Sequence, residues 1–184
     1  MNQVRTMPAI VTELPTVEAL LPQWRDTIGA DYTAYRNHLY RVLNFFRAYT
    51  GADPEAQAQA EVAAVFHDLG IWTHGTIDYL EPSAGLAETW LREQGRQAWA
   101  GEVLPMVREH HKLSHWGGSY RVEAFRRADW VDVSLGLLKF GLPPAYVGEV
   151  KQRFPNEGFH KRLLQLGMQR MKTNPLSPLP MLKF

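Results

Sequence analysis

Residues 62–70 read Val62-Ala63-Ala64-Val65-Phe66-His67-Asp68-Leu69-Gly70. Five apolar residues run into a histidine and an aspartate, and a glycine follows at once. A third helix starting near Pro54-Glu55, with proline tolerated in its first turn, is predicted to reach Leu69 and stop at Gly70. His67 and Asp68 then stand on an apolar element, where a polar group costs free energy unless it finds a partner. Neighbouring helical side chains diverge by ~100°, so an ion between the two directions is within reach of both. Without an ion, Asp68 is disfavoured by the helix dipole and would need an arginine.

The pattern on both sides is helical, with almost no alternation of the strand kind. Upstream, Tyr32, Tyr35, Leu39, Val42, Leu43 and Phe46 form one stripe on a long helix ending near Gly51, and His38 sits in it. Alone, His38 reads as a core histidine bonded to backbone. Thr16 is expected to cap a first helix through about Ile28. Residues 71–82 read as a loop, and Ser83 as the cap of a helix reaching Gln94. A helix carrying Trp99, Val103 and Val107 ends at His110-His111, and Pro105 must kink or restart it. Residues 113–119 form a loop around Gly117-Gly118. Helix is expected from about Tyr120 to Phe140, then over 145–153 and 158–172. Asp129 lies four residues from both Phe125 and Val133, on an apolar stripe. Its alternatives are a salt bridge with Arg41 or Arg126 and replacement as ligand by Asp132. The Pro-rich end, 173–184, is predicted to be an extended tail beside one helical domain spanning 1–172.

Composition bounds the chemistry. The chain has 184 residues, 45% hydrophobic, and a net charge of +1, which suits one packed domain. Neither nucleic acid nor an acidic membrane is the default partner at that balance, although a local basic patch is compatible with it. There is no cysteine, so a bound metal must use imidazole and carboxylate. No apolar run approaches the ~20 residues of a membrane span. The opening MNQVRTMPAIVTELP lacks a signal-peptide pattern. A cytoplasmic location is the expectation.

The order H…HD…D, carried by YRNHLYRV around His38, VFHDLG around His67 and Asp68, and RRADWVD around Asp129, resembles the HD-domain superfamily. This is an all-helical group of metal-dependent phosphohydrolases and relatives. The resemblance covers roughly residues 30–140. It implies an all-α, compact multi-helix bundle in which His38, His67, Asp68 and Asp129 bind a divalent metal of the Mn, Fe, Co, Ni or Zn kind. It also implies a small, anionic substrate. The Pro-rich tail hints at subunit contact, which leaves a homo-oligomer open. Arg41, one turn after His38, and Lys112 are the candidate substrate-binding residues. Trp72, Trp116 and Trp130 are candidate pocket walls.

Two-metal members add histidines after the doublet, in a His-Pro-x-x-Gly pattern and a later His-His. Here Glu81-Pro82-Ser83-Ala84-Gly85 replaces the first, while His110-His111 matches the second. A second metal held by Glu81, His110, His111 and a bridging Asp68 is one reading. Glu81 as general base is another. Single-metal HD 5′-nucleotidases carry a glutamate where this chain has Ile71, which argues against carrying over their chemistry. The segment YLEPSAGLAETWL is similar to HD proteins of the cyanamide hydratase type, so a hydro-lyase stays beside the phosphohydrolase. A di-iron oxygenase and a non-catalytic metal- or nucleotide-binding module are the further alternatives.

Overall fold

The computed structural model describes residues 6–175 and 180–183, and it is all-α. Among the described residues the only β feature is an isolated parallel bridge between Lys112 and Lys183. The helices are α1 (Pro15–Leu20), α2 (Arg25–Ile28), α3 (Tyr32–Thr50), α4 (Pro54–His67), α5 (Gly70–Thr73), α6 (Leu80–Glu93), α7 (Ala100–Glu109), α8 (Tyr120–Val133), α9 (Pro144–Arg153) and α10 (Phe159–Thr173). α3 packs along α8 and α4, and α7 closes the group against α4 and α8. α6 backs α4 and α7, α1 covers α4, and α9 and α10 lie on α3. One apolar core runs from Leu14 to Phe159. Among the described residues, no helix is long and apolar enough to cross a membrane.

Local chemistry explains the long helices. α3 ends where Gly51 takes φ +76 and donates to the Arg47 carbonyl, a conformation that glycine adopts without strain. Asp53 caps α4, its carboxylate accepting from the Glu55 and Ala56 amides, with Pro54 next in line. Ser119 caps α8 through the Arg121 amide.

Several expectations are corrected. The first helix is broken into α1, a 3-10 turn over Leu21–Trp24, and α2, because Pro22 has no amide to continue the ladder. Its N-cap is Leu14, not Thr16. Gly70 does not end α4 in a left-handed turn; it opens α5. A Cβ there would lie 2.7 Å from the Tyr79 carbonyl oxygen and 2.9 Å from Ser83 Oγ, so close approach is what requires glycine. Ser83 is no cap. It is buried inside α6 and accepts from the Gly70 amide at 2.9 Å. α6 therefore starts at Leu80, before Pro82. Pro105 sits within one unbroken helix, α7. α8 stops at Val133 instead of Phe140, since Leu135 (φ +57) and Gly136 (φ +81) turn the chain left-handed. In the expected tail, Thr173 is still helical. Lys183 lies on the chain's own surface, its carbonyl accepting from the Leu113 amide at 2.7 Å. Residues 176–179 and 184 of that tail lie outside the described residues.

α8 carries Glu123, Arg126, Asp129 and Asp132 at three-residue steps, and all are buried. They form a charged seam through the core, and each member needs a partner there.

Candidate metal centre

Two helix ends build half of the centre by the same device. His67 is the last residue of α4, and its Nδ1 donates to the Ala64 carbonyl three residues back, at 2.7 Å. His110 caps α7, and its Nδ1 donates to the Val107 carbonyl, also three back, at 2.8 Å. The final turn of a helix leaves carbonyls free to accept such bonds. In each case the outer nitrogen is tied off and Nε2 faces the core. His38 reaches the same arrangement through Asp132, which accepts from its Nδ1 at 2.7 Å. His111 shares a 2.8 Å hydrogen bond between its Nε2 and the Tyr79 hydroxyl, which leaves Nδ1 facing inward. Fixing the outer nitrogen of an imidazole sets its tautomer and orientation for ligation.

The four inward nitrogens meet Asp68 and Asp129. His38 Nε2 and His67 Nε2 are 3.0 Å apart. Each lies 3.5 and 3.7 Å, respectively, from Asp129 Oδ1. His67 Nε2 is 3.3 Å from Asp68 Oδ2, and His110 Nε2 is 3.4 Å from Asp68 Oδ1. His111 Nδ1 is 3.5 Å from Asp129 Oδ2. Most of these separations are too long for good hydrogen bonds. They match two donors on one ion: bonds of ~2.1 Å place ligand atoms ~3.0 Å apart at a right angle and ~3.4 Å apart at the tetrahedral angle. All six residues are at most 6% exposed. Among the described residues, eight buried side-chain polar atoms have no hydrogen-bond partner, and five belong to this cluster: Asp68 Oδ1, both Asp129 oxygens, His110 Nε2 and His111 Nδ1. An orphaned buried carboxylate is costly, and a cation at this point removes the cost. Among the described residues, three overlapping groups could hold a metal ion: His38, His67 and Asp129; His67, Asp68 and His110; His110, His111 and Asp129.

The electrostatics agree with strong mutual coupling. Burial disfavours the His67 cation, but Asp68 and Asp129 outweigh it and lift its pKa to about 9. Burial lowers His38 to about 4 against the pull of Asp132. Burial raises Asp129, with His67 opposing and Asp68 adding to it. Asp68 is drawn well down despite its burial, by His67 and His110.

The structure places the other candidates elsewhere. The Glu81 side chain is 68% exposed and paired with Arg108 at 3.0 Å, and it belongs to none of the three groups. It stands in the first turn of α6, on the solvent side. Arg41 is buried, and its guanidinium grips both oxygens of Asp132 and the Phe154 and Pro155 carbonyls. It does not hold Asp129. Asp132 stands outside the three groups and orients His38, with its own pKa pulled far down against burial by His38 and Arg41. Lys112 offers its carbonyl to Arg126 and to the Trp130 indole, which fixes the chain just after His111. Trp72 donates to Asp31, and Trp130 packs edge-on to His111 at 6.1 Å between ring centroids.

Two residues escaped the sequence reading. Tyr79 orients His111, and nothing in its loop setting announces that. Phe159, the first residue of α10, stacks on His38 with centroids 4.1 Å apart. Tyr35 and Phe125 complete an aromatic wall around His38 and His67.

Compared with known proteins, the chain matches no family model, and no curated protein or solved structure matches it.

Proposed function

We propose that this chain is a metal-dependent hydrolase of the HD type, acting on a small phosphorylated or nucleotide-like substrate. When bound, the metal supplies a water of lowered pKa and polarises the group under attack. The observation that carries the reading is the convergence of four imidazoles, each with its outer nitrogen tied off, on two carboxylates with orphaned oxygens. His38, His67 and Asp129 would hold one ion, and His110, His111 and Asp129 a second, with Asp68 reaching both. Asp132 and Arg41 keep His38 in register. Tyr79 does the same for His111. The aromatic wall packs against the His38 and His67 rings and holds them in place. The donor set of nitrogen and oxygen suits Mn, Fe, Co, Ni or Zn.

One observation favours a second reading, a hydro-lyase adding water to a small uncharged substrate such as a nitrile. Arg41 and Arg126, the cations buried beside the centre, are already engaged by Asp132 and Glu123, so neither is available to clamp a phosphate.

Metal content per chain by plasma mass spectrometry, followed by a panel of small phosphoesters and cyanamide, tests both. Two ions and phosphoester turnover that Asp68→Ala abolishes is the expected result. Cyanamide turnover alone transfers the site to the hydro-lyase. Two irons with oxygen uptake assigns an oxygenase. No turnover on any substrate with any added metal overturns the enzymatic reading.

A further inference from the structure

α10 carries apolar residues on two opposite sides. Phe159, Leu163 and Leu166 turn inward, Phe159 onto His38 and the others into the core and the small cluster around Ile71 and Tyr79. Leu164, Met168 and Met171 lie one turn apart on the outer side and are 65%, 50% and 54% exposed. Spacing of four and three residues makes them a continuous stripe, and the exposed Lys161 and Lys172 run along its edge. At the start of this helix stands a second apolar tip. Leu135, Asn156 and His160 line one small cavity, which sets the α8–α9 turn beside the first turn of α10. In that turn Leu137 is 82% exposed and Leu138 46%.

Charge follows the same division. Up to Ser134 the chain carries twelve lysines and arginines against seventeen acids. After Ser134 it carries eight against two, Glu149 and Glu157, and α10 itself has no acid. The net charge of +1 conceals this polarity.

We propose that the outer face of α10, with the Leu137-Leu138 tip, docks this protein onto an anionic lipid surface. An apolar stripe edged by lysines is the form that lies in a membrane interface, with the stripe at the acyl boundary and the lysine stems reaching up to the headgroups. The Leu137-Leu138 tip follows Leu135, which shares a cavity with the first turn of α10, and so adds apolar surface on an adjoining segment. A second copy would set like charges against each other. Nucleic acid would meet an apolar centre with no ring for a base to stack on. The proposal stands independently of the reaction at the metal centre.

The test is sedimentation of the full chain with vesicles of phosphatidylcholine alone and with about 30% phosphatidylserine, at low and high salt. The expected result is capture by the mixed vesicles only, weakened by salt. Met168→Glu should abolish it, and Lys161→Gln or Lys172→Gln should each weaken it roughly fivefold, with circular dichroism and metal content unchanged. All three positions are exposed, so folding is not at stake. Equal capture by both vesicles, no capture, or full capture of Met168→Glu overturns the proposal. So does a dimer on gel filtration that Met168→Glu dissociates, which gives the face to a second copy. Binding to polyglutamate without vesicle capture gives it to an acidic protein and overturns the proposal as well.

Discussion

Asp68 and Glu81 are both acidic residues in the stretch from the His-Asp doublet into α6, yet burial separates their roles. Asp68 is 2% exposed and within 3.4 Å of two imidazoles. Glu81 is held outside by Arg108. Asp68→Ala is therefore expected to remove bound metal, while Glu81→Ala leaves metal content intact and changes stability by no more than about 0.5 kcal/mol. Metal analysis beside thermal melting checks both, and equal metal in wild type and Asp68→Ala would sink the ligand assignment. His38, the doublet and Asp129 stood out in the sequence because each interrupts an apolar stripe. His110 and His111 stood out as a pair, but their orientation did not, since it depends on the Val107 carbonyl and the distant Tyr79 hydroxyl. The exposed setting of Glu81 was not legible, because a helix N-terminal charge and a ligand look alike in one dimension.

Among the elements, α8 binds the most chemistry, and its charged seam links the centre to the loop that follows His111. Glu123 accepts from Arg126, from Arg127 and from the Trp116 amide. Burial alone would raise its pKa, but these donors, Arg126 first, bring it to about 2 from an ordinary 4.5. The folded-state pKa lies below the unfolded one. Its stabilisation is accordingly complete above pH 4.5 and lost as pH falls through about 2. Acid unfolding of Glu123→Gln should lack that part of the pH dependence. A variant with the wild-type profile would show that the seam is not coupled to folding. α3, α4, α9 and α10 were legible from periodicity, caps and prolines. The end of α8 was not, because Leu135 takes a left-handed conformation that no leucine advertises. The role of Ser83 was not legible either, since receiving the Gly70 amide requires α5 and α6 to be packed first.

At the scale of the molecule, the six donors come from four helices or their ends: α3, α4, α7 and α8. An ion bound there stabilises only the folded chain. At a free concentration of ~100 times its dissociation constant it adds ~2.7 kcal/mol, which raises the melting temperature by about 5 to 10 °C for a domain of this size. Calorimetry with and without a chelator measures this, and identical melting curves would show that the cluster holds no ion. The all-helical class was readable from the sequence as a whole. Its polarity of charge was hidden by the near-zero total.

An ion in the centre would tie position 38 to position 129 in a chain without cysteine. With an ion bound, such a clasp would hold no disulfide for a thiol to cut, and it would open to chelation or to protonation of its imidazoles. It also has a schedule. During synthesis the first half of the donor set is made by residue 68, but the clasp cannot shut until α8 has left the ribosome. Until then the early histidines and Asp68 would be an incomplete donor set, and an ion would gain its full complement of ligands only when Asp129 folds in.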